Sequence, residues 1–532
     1  MKRSRFWLMK ALCVAAVVLL IPQVAWASSY VAGSLVRVSG TSPFAGSNCG
    51  LAGQTGENFL NSEVEPFVDI NPANGDNIIG AWQQDRWSNG ASRGNAVGAS
   101  LDNGTSWRIV SRTKNSLCTG GTPANGGGYE RASDPWVTIS PNGDAYLMSL
   151  SVDDAPDTAF GFNPDAMLVS KSTDGGLTWS DPVTLIRDDN LHRLNDKNSM
   201  TADPNDSSFV YAVWDRLSAI GPVGRGPTLF TRTTNGGASW EKARVIFDPG
   251  FFAQTLGNQI AVRPQGDLIN IFTLIRAVPG SGGPELDVSD MRFEDNVNLI
   301  RNAHGPGGGP DLNVTVVRSE DKGETWSGPI RLERMVDPGV VDPEDGDPVR
   351  TGDIIPDIAV DPNSGQLYAV WQDKRFDDGR HDSVALSTST DGGLTWSSAE
   401  KVNNTPTNIP SGNQQAFNPA VDVAEDGTVS VTYYDFRNNT PNANTLPTDY
   451  WMVHCHASQK GDCSQGSRYG AEVRLTNAPF NMERAPEAGG YFVGDYEGLA
   501  NEVAGEGTDF TPLFSRPQGV DPASIFFRSV GP

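Results

Sequence analysis

Histidine and cysteine are scarce in this chain of 532 residues, with five of each. Cys13 lies in an N-terminal leader, so Cys49, Cys118, Cys455 and Cys463 remain. A zinc site wants Cys or His at tighter spacing, which places that reading behind disulfides. His454 and His456 fall on one strand face, and two histidines alone do not make a metal site. Past the leader no stretch approaches the roughly 20 uninterrupted apolar residues of a membrane helix, so no membrane span is expected. Cations are also short: 40 Lys and Arg stand against 64 Asp and Glu, for a formal charge of −24. Each phosphate contact needs a Lys or Arg, which argues against nucleic acid and anionic membranes as partners. No phosphate-cradling loop and no Ser-His-Asp constellation stands out.

What is present begins with an address. Lys2, Arg3, Arg5 and Lys10 form a basic front, Ala11 to Ile21 are apolar, and Val24-Ala25-Trp26-Ala27 ends in small residues. That is the pattern of a signal peptide over residues 1–27, cleaved after Ala27. Residues 28–532 then read as a single domain, soluble, monomeric, and secreted or periplasmic. Loss of the leader removes four basic groups and no acidic one, taking the formal charge from −24 to −28. An even number of cysteines in an exported chain favours disulfides. Three pairings are possible, and Cys49 with Cys118 plus Cys455 with Cys463 is the simplest.

One unit recurs along the chain: Ser-x-Asp-x-Gly-x-Thr-Trp. It appears at Ser100 to Trp107, Ser172 to Trp179, Thr233 to Trp240, Ser319 to Trp326 and Ser389 to Trp396. These are Asp boxes, tight strand connections in which the Asp or Asn accepts from backbone N–H groups, Gly tolerates positive φ and Trp covers a sheet edge. Strands with alternating or continuous apolar character flank each box. First strands begin near Pro66, Pro135, Ser199, Gln259, Pro356, Pro419 and Phe492, which predicts an all-β propeller of seven four-stranded blades. The last blade lacks its fourth strand, and Leu35 to Phe44 matches Val473 to Phe480. The N-terminal strand is therefore expected to complete that blade and close the ring, removing open edges.

With these boxes, the repeat of about 70 residues and the leader, the chain resembles the sialidase superfamily of BNR-repeat propellers over nearly all of its mature length. The resemblance implies a secreted glycoside hydrolase acting on glycans, similar to exo-α-sialidases. The superfamily also holds other glycosidases and proteins with only a binding role. Characterised sialidases usually have six blades, which makes six the alternative count. Sialidases commonly carry an Arg-Ile-Pro motif near the first blade, where this chain has Glu65-Pro66-Phe67-Val68. The family's three-arginine site therefore fails to carry over at its first member, and Arg86 is a positional substitute.

Because strands alternate direction within a blade, Asp boxes lie on one face and the d-to-a and b-to-c loops on the other. Loops placed by a rigid scaffold concentrate binding groups, so function is expected on the face opposite the boxes. A motif at strand-b ends places arginines there: Arg86, Arg216, Arg375 and Arg437, with Arg276 and Arg516 as fainter echoes. Arginine forks bind sugar carboxylates at two points. A catalytic site is asymmetric while this motif is repeated, so for any single arginine pairing with Asp residues of neighbouring blades is the favoured reading, and function is reserved for the subset whose loops converge. Unrepeated polar segments are Tyr129-Glu130-Arg131, His192 with Asn195-Asp196-Lys197-Asn198, and Gly494-Asp495-Tyr496-Glu497. Sialidases use a Tyr nucleophile with a carboxylate and a separate acid, which makes Tyr434, Tyr496 and Glu130 the catalytic candidates and Arg131 a further binding candidate. Each tyrosine can equally be a packed residue with a satisfied hydroxyl.

Two stretches add options. The Gly-rich residues 277 to 311 lengthen one b-to-c connection, as a lid or a tolerated insertion. Asp342, Glu344, Asp345 and Asp347 around Gly346 can bind calcium through oxygens, although the spacing is not an EF-hand and a solvated turn fits too. No other cofactor is indicated. Polysaccharide lyase activity on acidic sugars and a non-catalytic surface or matrix role are the rival functions.

Overall fold

A computed structural model describes residues 30–153, 164–190, 192–220, 223–276, 311–336, 339–456, 463–502 and 508–532. The leader expected at 1–27 and most of the Gly-rich stretch, 277–310, lie outside the described residues.

Apolar runs separated by tight turns pair as successive antiparallel four-strand sets. The first set is Glu63–Ile70, Ile78–Arg86, Ser92–Ser100 and Arg108–Val110. The second is Arg131–Ile139, Ala145–Val152, Asp165–Ser172 and Val183–Asp188. Arg193–Ala202, Val210–Ile220, Thr228–Thr233 and Arg244–Phe247 follow, then Ala253–Val262, Leu268–Arg276, Asp311–Ser319 and Ile330–Arg334. Asp357–Val360, Leu367–Asp373, Ser383–Ser389 and Glu400–Lys401 make the next, and Ala416–Val423, Thr428–Asp435, Pro447–His456 and Ala471–Arg474 the one after. In the last set Gly498–Asn501, Phe510–Gln518 and Asp521–Phe527 are joined by Val36–Arg37, with Val36 opposite Phe527.

The first strand of each set lies beside the first strand of the next, and Gly498–Asn501 lies beside Glu63–Ile70. Side chains at matching positions bridge these inner strands. Asp69 accepts from the Ile139 amide (2.7 Å), Thr138 from the Ala202 amide (3.0 Å) and Asp357 from the Val421 amide (2.8 Å), while Asn501 donates to Asp422 (2.9 Å). Each bridge satisfies a backbone or side-chain group where two sets cannot share a regular ladder.

Between sets lie apolar clusters centred on large rings. Trp82, Trp214 and Trp371 are fully buried, and their indole N–H groups donate to Gln84 (3.1 Å), Asn195 (3.0 Å) and Asp373 (2.9 Å). Burial of such a side chain contributes roughly 2–3 kcal/mol, and the hydrogen bond removes the cost of hiding the N–H.

The repeated segments form turns with a shared bonding pattern. Ser100 Oγ bonds Asp102, the Gly104 amide donates to Ser100 Oγ (2.9 Å), the Ser106 amide donates to Asp102 (2.8 Å), and Trp107 Nε1 donates to the Gly104 carbonyl (3.1 Å). The same bonds recur at 172–179, 319–326 and 389–396. Gly104 has φ 75°, and a Cβ there would stand 2.1 Å from the Phe527 ring, so no other residue fits.

Two elements differ from the reading of the sequence. The inner strands at 193–202 and 253–262 begin before Ser199 and Gln259, because each carries a bulge that interrupts its ladder without ending it. Phe492 does not open the last set: Tyr491–Phe492 pairs in parallel with Pro348–Arg350 in a small separate sheet. Phe492 is fully buried there, 5.0 Å from the Arg86 guanidinium and 4.4 Å from that of Arg350, and the last set starts only at Gly498.

Cys49 is bonded to Cys118 and Cys455 to Cys463, with Cα separations of 5.3 and 5.8 Å. No helix among the described residues is long and apolar enough to cross a membrane.

Candidate functional site

Besides Ala253–Val262, whose break between Leu256 and Gln259 holds Gly257 (φ 69°), four inner strands break register at equivalent places, between Val64 and Phe67, Ser133 and Trp136, Asp196 and Ser199, and Phe417 and Ala420. Each of these four breaks holds a non-glycine residue in the left-handed region: Glu65 (φ 52°), Asp134 (46°), Lys197 (46°) and Asn418 (47°). Such a backbone costs about 1–3 kcal/mol per residue and persists where surrounding structure overdetermines it. Here the bulges bring side chains of separate sets to one point.

Lys197 Nζ lies 2.6 Å from Asp495, 3.4 Å from Glu65 and 3.9 Å from Asp134. Arg350 grips Asp495 with two bonds, 2.8 and 3.2 Å. Gln83 donates to Glu65 and to Ser133 Oγ, which in turn donates to Asp134. All five charged side chains are at most 8% exposed, so their interactions are little screened by solvent. Burial opposes the charge on Asp495, yet Arg350 and Lys197 outweigh it and hold this carboxyl well below the usual range. Burial pushes Glu65 up to about 7, with Lys197 acting against the rise. For Lys197 burial is outweighed by Asp134, Asp495 and Glu65, which keep the amine charged.

A cavity of about 540 Å³ runs beside this cluster, lined by inner-strand residues of every set. Phe67, Trp136 and Tyr496 form an aromatic wall, with Phe67 and Trp136 stacked at 3.6 Å and Tyr496 5.4 Å from Trp136. Asp495 and Glu497 share that wall, and no Lys, Arg or His lines the cavity among the described residues. Burial pushes Glu497 well above the usual carboxyl value, against a 2.9 Å bond from the Ser515 amide. Two carboxyls flanking Tyr496 are thus driven in opposite directions, Asp495 toward the ionised form and Glu497 toward the protonated one. Burial, then Glu65 and Asp134, raise the Tyr496 phenol well above its ordinary value, and its hydroxyl donates to the Pro135 carbonyl at 3.3 Å.

The cavity also reaches Pro72, Pro141 and Pro204, in the turns that leave the inner strands. Those turns share a face with the repeated segments, since Asn77 donates to the Gly175 carbonyl (3.1 Å) and Lys322 pairs with Asp206 (3.0 Å). The cavity therefore extends toward the repeat face, whereas the sequence points to the other one.

Five of the arginines singled out from the sequence are engaged in protein contacts, whereas Arg276 is exposed at the end of its strand. Arg86, 2% exposed, donates to Gln83 (3.1 Å). Arg131, 4% exposed, donates to Gly90, Asn89 and Thr55 and covers the Trp87 ring at 4.5 Å. Arg216 pairs with Asp188 of the preceding set (2.9 Å), and Arg375 with Asp373 (2.8 Å) and Glu333 (3.2 Å). Arg437 pairs with Asp435 (2.7 Å) and Glu472 (2.6 Å) and stacks 3.8 Å over Trp451. Glu130 accepts from Gln54 (2.8 Å). Tyr434 is fully buried against Phe417 and Tyr450 and donates to the Ser515 carbonyl at 2.6 Å. Of these candidates only Tyr496 lines the cavity.

Lys197, Asp495 and Glu497 fall in polar segments that break the repeat, which is a signal legible in sequence. Arg350 carries none, because its role depends on the small sheet that brings it to Asp495. The acidic segment at Asp342 closes on itself through Asp342 and Asp347 (2.8 Å) and Gly346 and Asp342 (3.0 Å). Among the described residues no group of three His, Cys, Asp or Glu is gathered to hold a metal ion. His456 bonds Thr428 (2.8 Å), and Tyr30 packs 4.3 Å from the ring of His454.

No protein-family profile matches the chain, and no curated protein sequence does. Among solved structures it is similar to a protein of unknown function from Dyadobacter fermentans, at 12% identity and a TM-score of 0.46, over 95% of this chain and 99% of that one. It is similar to the α-L-arabinofuranosidase of Fusarium graminearum at 11% identity and a TM-score of 0.45, over 94% and 98%. A mutant Trypanosoma rangeli sialidase displaying trans-sialidase activity shares 14% identity at a TM-score of 0.40, over 94% of this chain and 58% of that one.

Proposed function

We propose that the protein is an exported, seven-bladed propeller that hydrolyses glycosidic bonds of a neutral glycan in its central channel. The observation that carries this reading is the Asp495-Tyr496-Glu497 segment in the cavity wall, whose two carboxyls are driven apart in proton affinity. Paired carboxyls held in opposite states are what glycoside hydrolysis requires. Glu497 serves as proton donor to the leaving oxygen, Asp495 as the ionised partner, and Trp136 with Phe67 as the stacking surface for a sugar ring. Among the described residues the wall offers no cation to pair with a sugar carboxylate, so the substrate is neutral rather than a sialoside. Two disulfides suit an oxidising compartment.

The test is a panel of neutral aryl glycosides, aryl sialosides and acidic polysaccharides, applied to wild type and Glu497→Gln. Release of aryl alcohol from a neutral glycoside, reduced about 10²-fold or more in the variant, is the expected result. Turnover of sialosides alone, or unsaturated ultraviolet-absorbing products from polysaccharides, would replace this reading with a sialidase or a lyase. Absence of all turnover favours a binding role, which the pairing of the rim arginines also suits.

A further inference from the structure

The connection between Leu367–Asp373 and Ser383–Ser389 carries Asp377 and His381, and the connection into Ala416–Val423 carries Ser411. Neither connection belongs to the cavity wall. Asp377 Oδ2 meets His381 Nδ1 at 2.5 Å, and His381 Nε2 meets Ser411 Oγ at 2.9 Å. Asp377 Oδ1 also accepts from the backbone N–H groups of Arg380 (3.0 Å) and His381 (3.1 Å), which fixes the carboxylate against the loop. With the carboxylate on Nδ1, the neutral ring carries its proton there and turns a lone pair at Nε2 toward the serine hydroxyl.

We propose that Ser411, His381 and Asp377 form a nucleophile, base and positioning residue that hydrolyse acyl esters, an activity separate from the channel. Three observations support it. The His381 side chain is 13% exposed and that of Asp377 21%, while Ser411 is exposed, so the ring is partly shielded and the nucleophile reachable. The serine loop is also braced: Gln415 exchanges bonds with Val341 in both directions (3.0 and 2.8 Å), Asn413 donates to the Asn439 carbonyl (3.1 Å), and the Ala416 amide donates to Asp382 (2.9 Å). Such bracing holds a nucleophile and its base at hydrogen-bond distance. Finally, Gly412 follows the serine where a Cβ would stand 2.7 Å from Pro343, so the serine loop packs tightly on the turn between Val340–Val341 and Pro348–Arg350.

Other charges face the Asp377 end of the triad. The Arg380 side chain donates to the Asp377 carbonyl (2.8 Å), and Lys401 feels the Asp377 carboxylate. Burial opposes ionisation of Asp377, and the bonds from His381 outweigh it, leaving the carboxyl below its usual value.

In the reaction the Ser411 hydroxyl proton passes to His381 Nε2 as Oγ bonds the acyl carbon. The ester C–O bond then breaks, and the leaving alcohol oxygen takes the proton from Nε2. Water next gives a proton to Nε2 while its oxygen bonds the acyl carbon, and Ser411 departs with that proton. The sum is ester plus water to acid plus alcohol. This is a two-step acyl transfer with no other reactant.

The full mature chain is incubated with a fluorophosphonate and, separately, with 4-nitrophenyl acetate. The expected result is one covalent label per chain, mapped by peptide mass to Ser411, and ester turnover that falls about 10²-fold or more in Ser411→Ala and in His381→Ala. Asp377→Asn should lower kcat while KM holds, because it acts through the imidazole and not on the ester. Melting temperature of each variant reports folding, and the wild-type label needs no variant. A label absent or on another residue, or ester turnover unchanged in a folded Ser411→Ala, overturns the proposal.

Discussion

Lys197 and Asp495, 298 positions apart in the chain, meet at 2.6 Å with side chains only 7% and 0% exposed. Lys197 also faces Glu65 and Asp134, so one amine serves three carboxyls from three other inner segments. Replacing it with Met should cost about 3–5 kcal/mol, because the remaining carboxyls keep their burial and lose their cation. Urea unfolding of Lys197→Met measures this, and a loss under 1 kcal/mol would show that Arg350 alone balances the cluster.

The rim arginines are expected to act on stability. Arg437 holds Asp435 and Glu472 with its side chain 10% exposed, so Arg437→Ala should lose about 3 kcal/mol. Arg187, 46% exposed beside Asp189, should lose no more than about 0.5 kcal/mol when changed to Ala. Thermal melts of both variants, with a glycan-binding assay, check the contrast. A ligand-binding Arg437 would instead lower affinity at unchanged melting temperature.

Stability should fall as pH rises from the ordinary carboxyl range to about 8. Burial pushes Glu63 up to about 8, although Gln84 and Ser39 bond it, and pushes Asp165 up to about 8, although Asn195 bonds it. Both residues are fully buried. The folded protein therefore binds more protons than the unfolded chain between ordinary carboxyl values and pH 8. Their contribution is complete at low pH and is lost as pH rises through about 8. Asp495 has the opposite sign: its carboxyl is depressed, so its contribution is present above the ordinary range and is lost only in strong acid. Unfolding free energies from pH 5 to 9 should decline, and the decline should flatten in Glu63→Gln and in Asp165→Asn.

The two disulfides should differ in weight. Cys49 and Cys118 are 69 positions apart and Cys455 and Cys463 only 8. Loop-closure entropy assigns about 4 kcal/mol to the longer loop and about 2.5 kcal/mol to the shorter. Denaturation of the Cys49→Ser/Cys118→Ser and Cys455→Ser/Cys463→Ser double variants tests the order, and a larger loss for the short loop would refute it.

Much of the architecture was legible locally. A Ser-x-Asp-x-Gly turn can be read from the chain because each of its bonds lies within about five positions, and the apolar strands declare themselves by alternation. The disulfide partners were also within reach, since few pairings existed. The arginines were ambiguous for a physical reason: a fork such as Arg437 looks alike whether it awaits a sugar acid or grips Glu472.

The sequence by itself determined the all-β class, the turn chemistry and the strands that could pair. Only the tertiary structure decided which charges share the axis, because Glu65, Asp134, Lys197, Arg350 and Asp495 meet through the packing of separate sets and no local period encodes that. It likewise decided that Tyr434 lies in the core while Tyr496 faces the cavity. The Asp377, His381 and Ser411 constellation was invisible for the same reason, since 30 positions separate its serine from its histidine and only the meeting of two loops joins them.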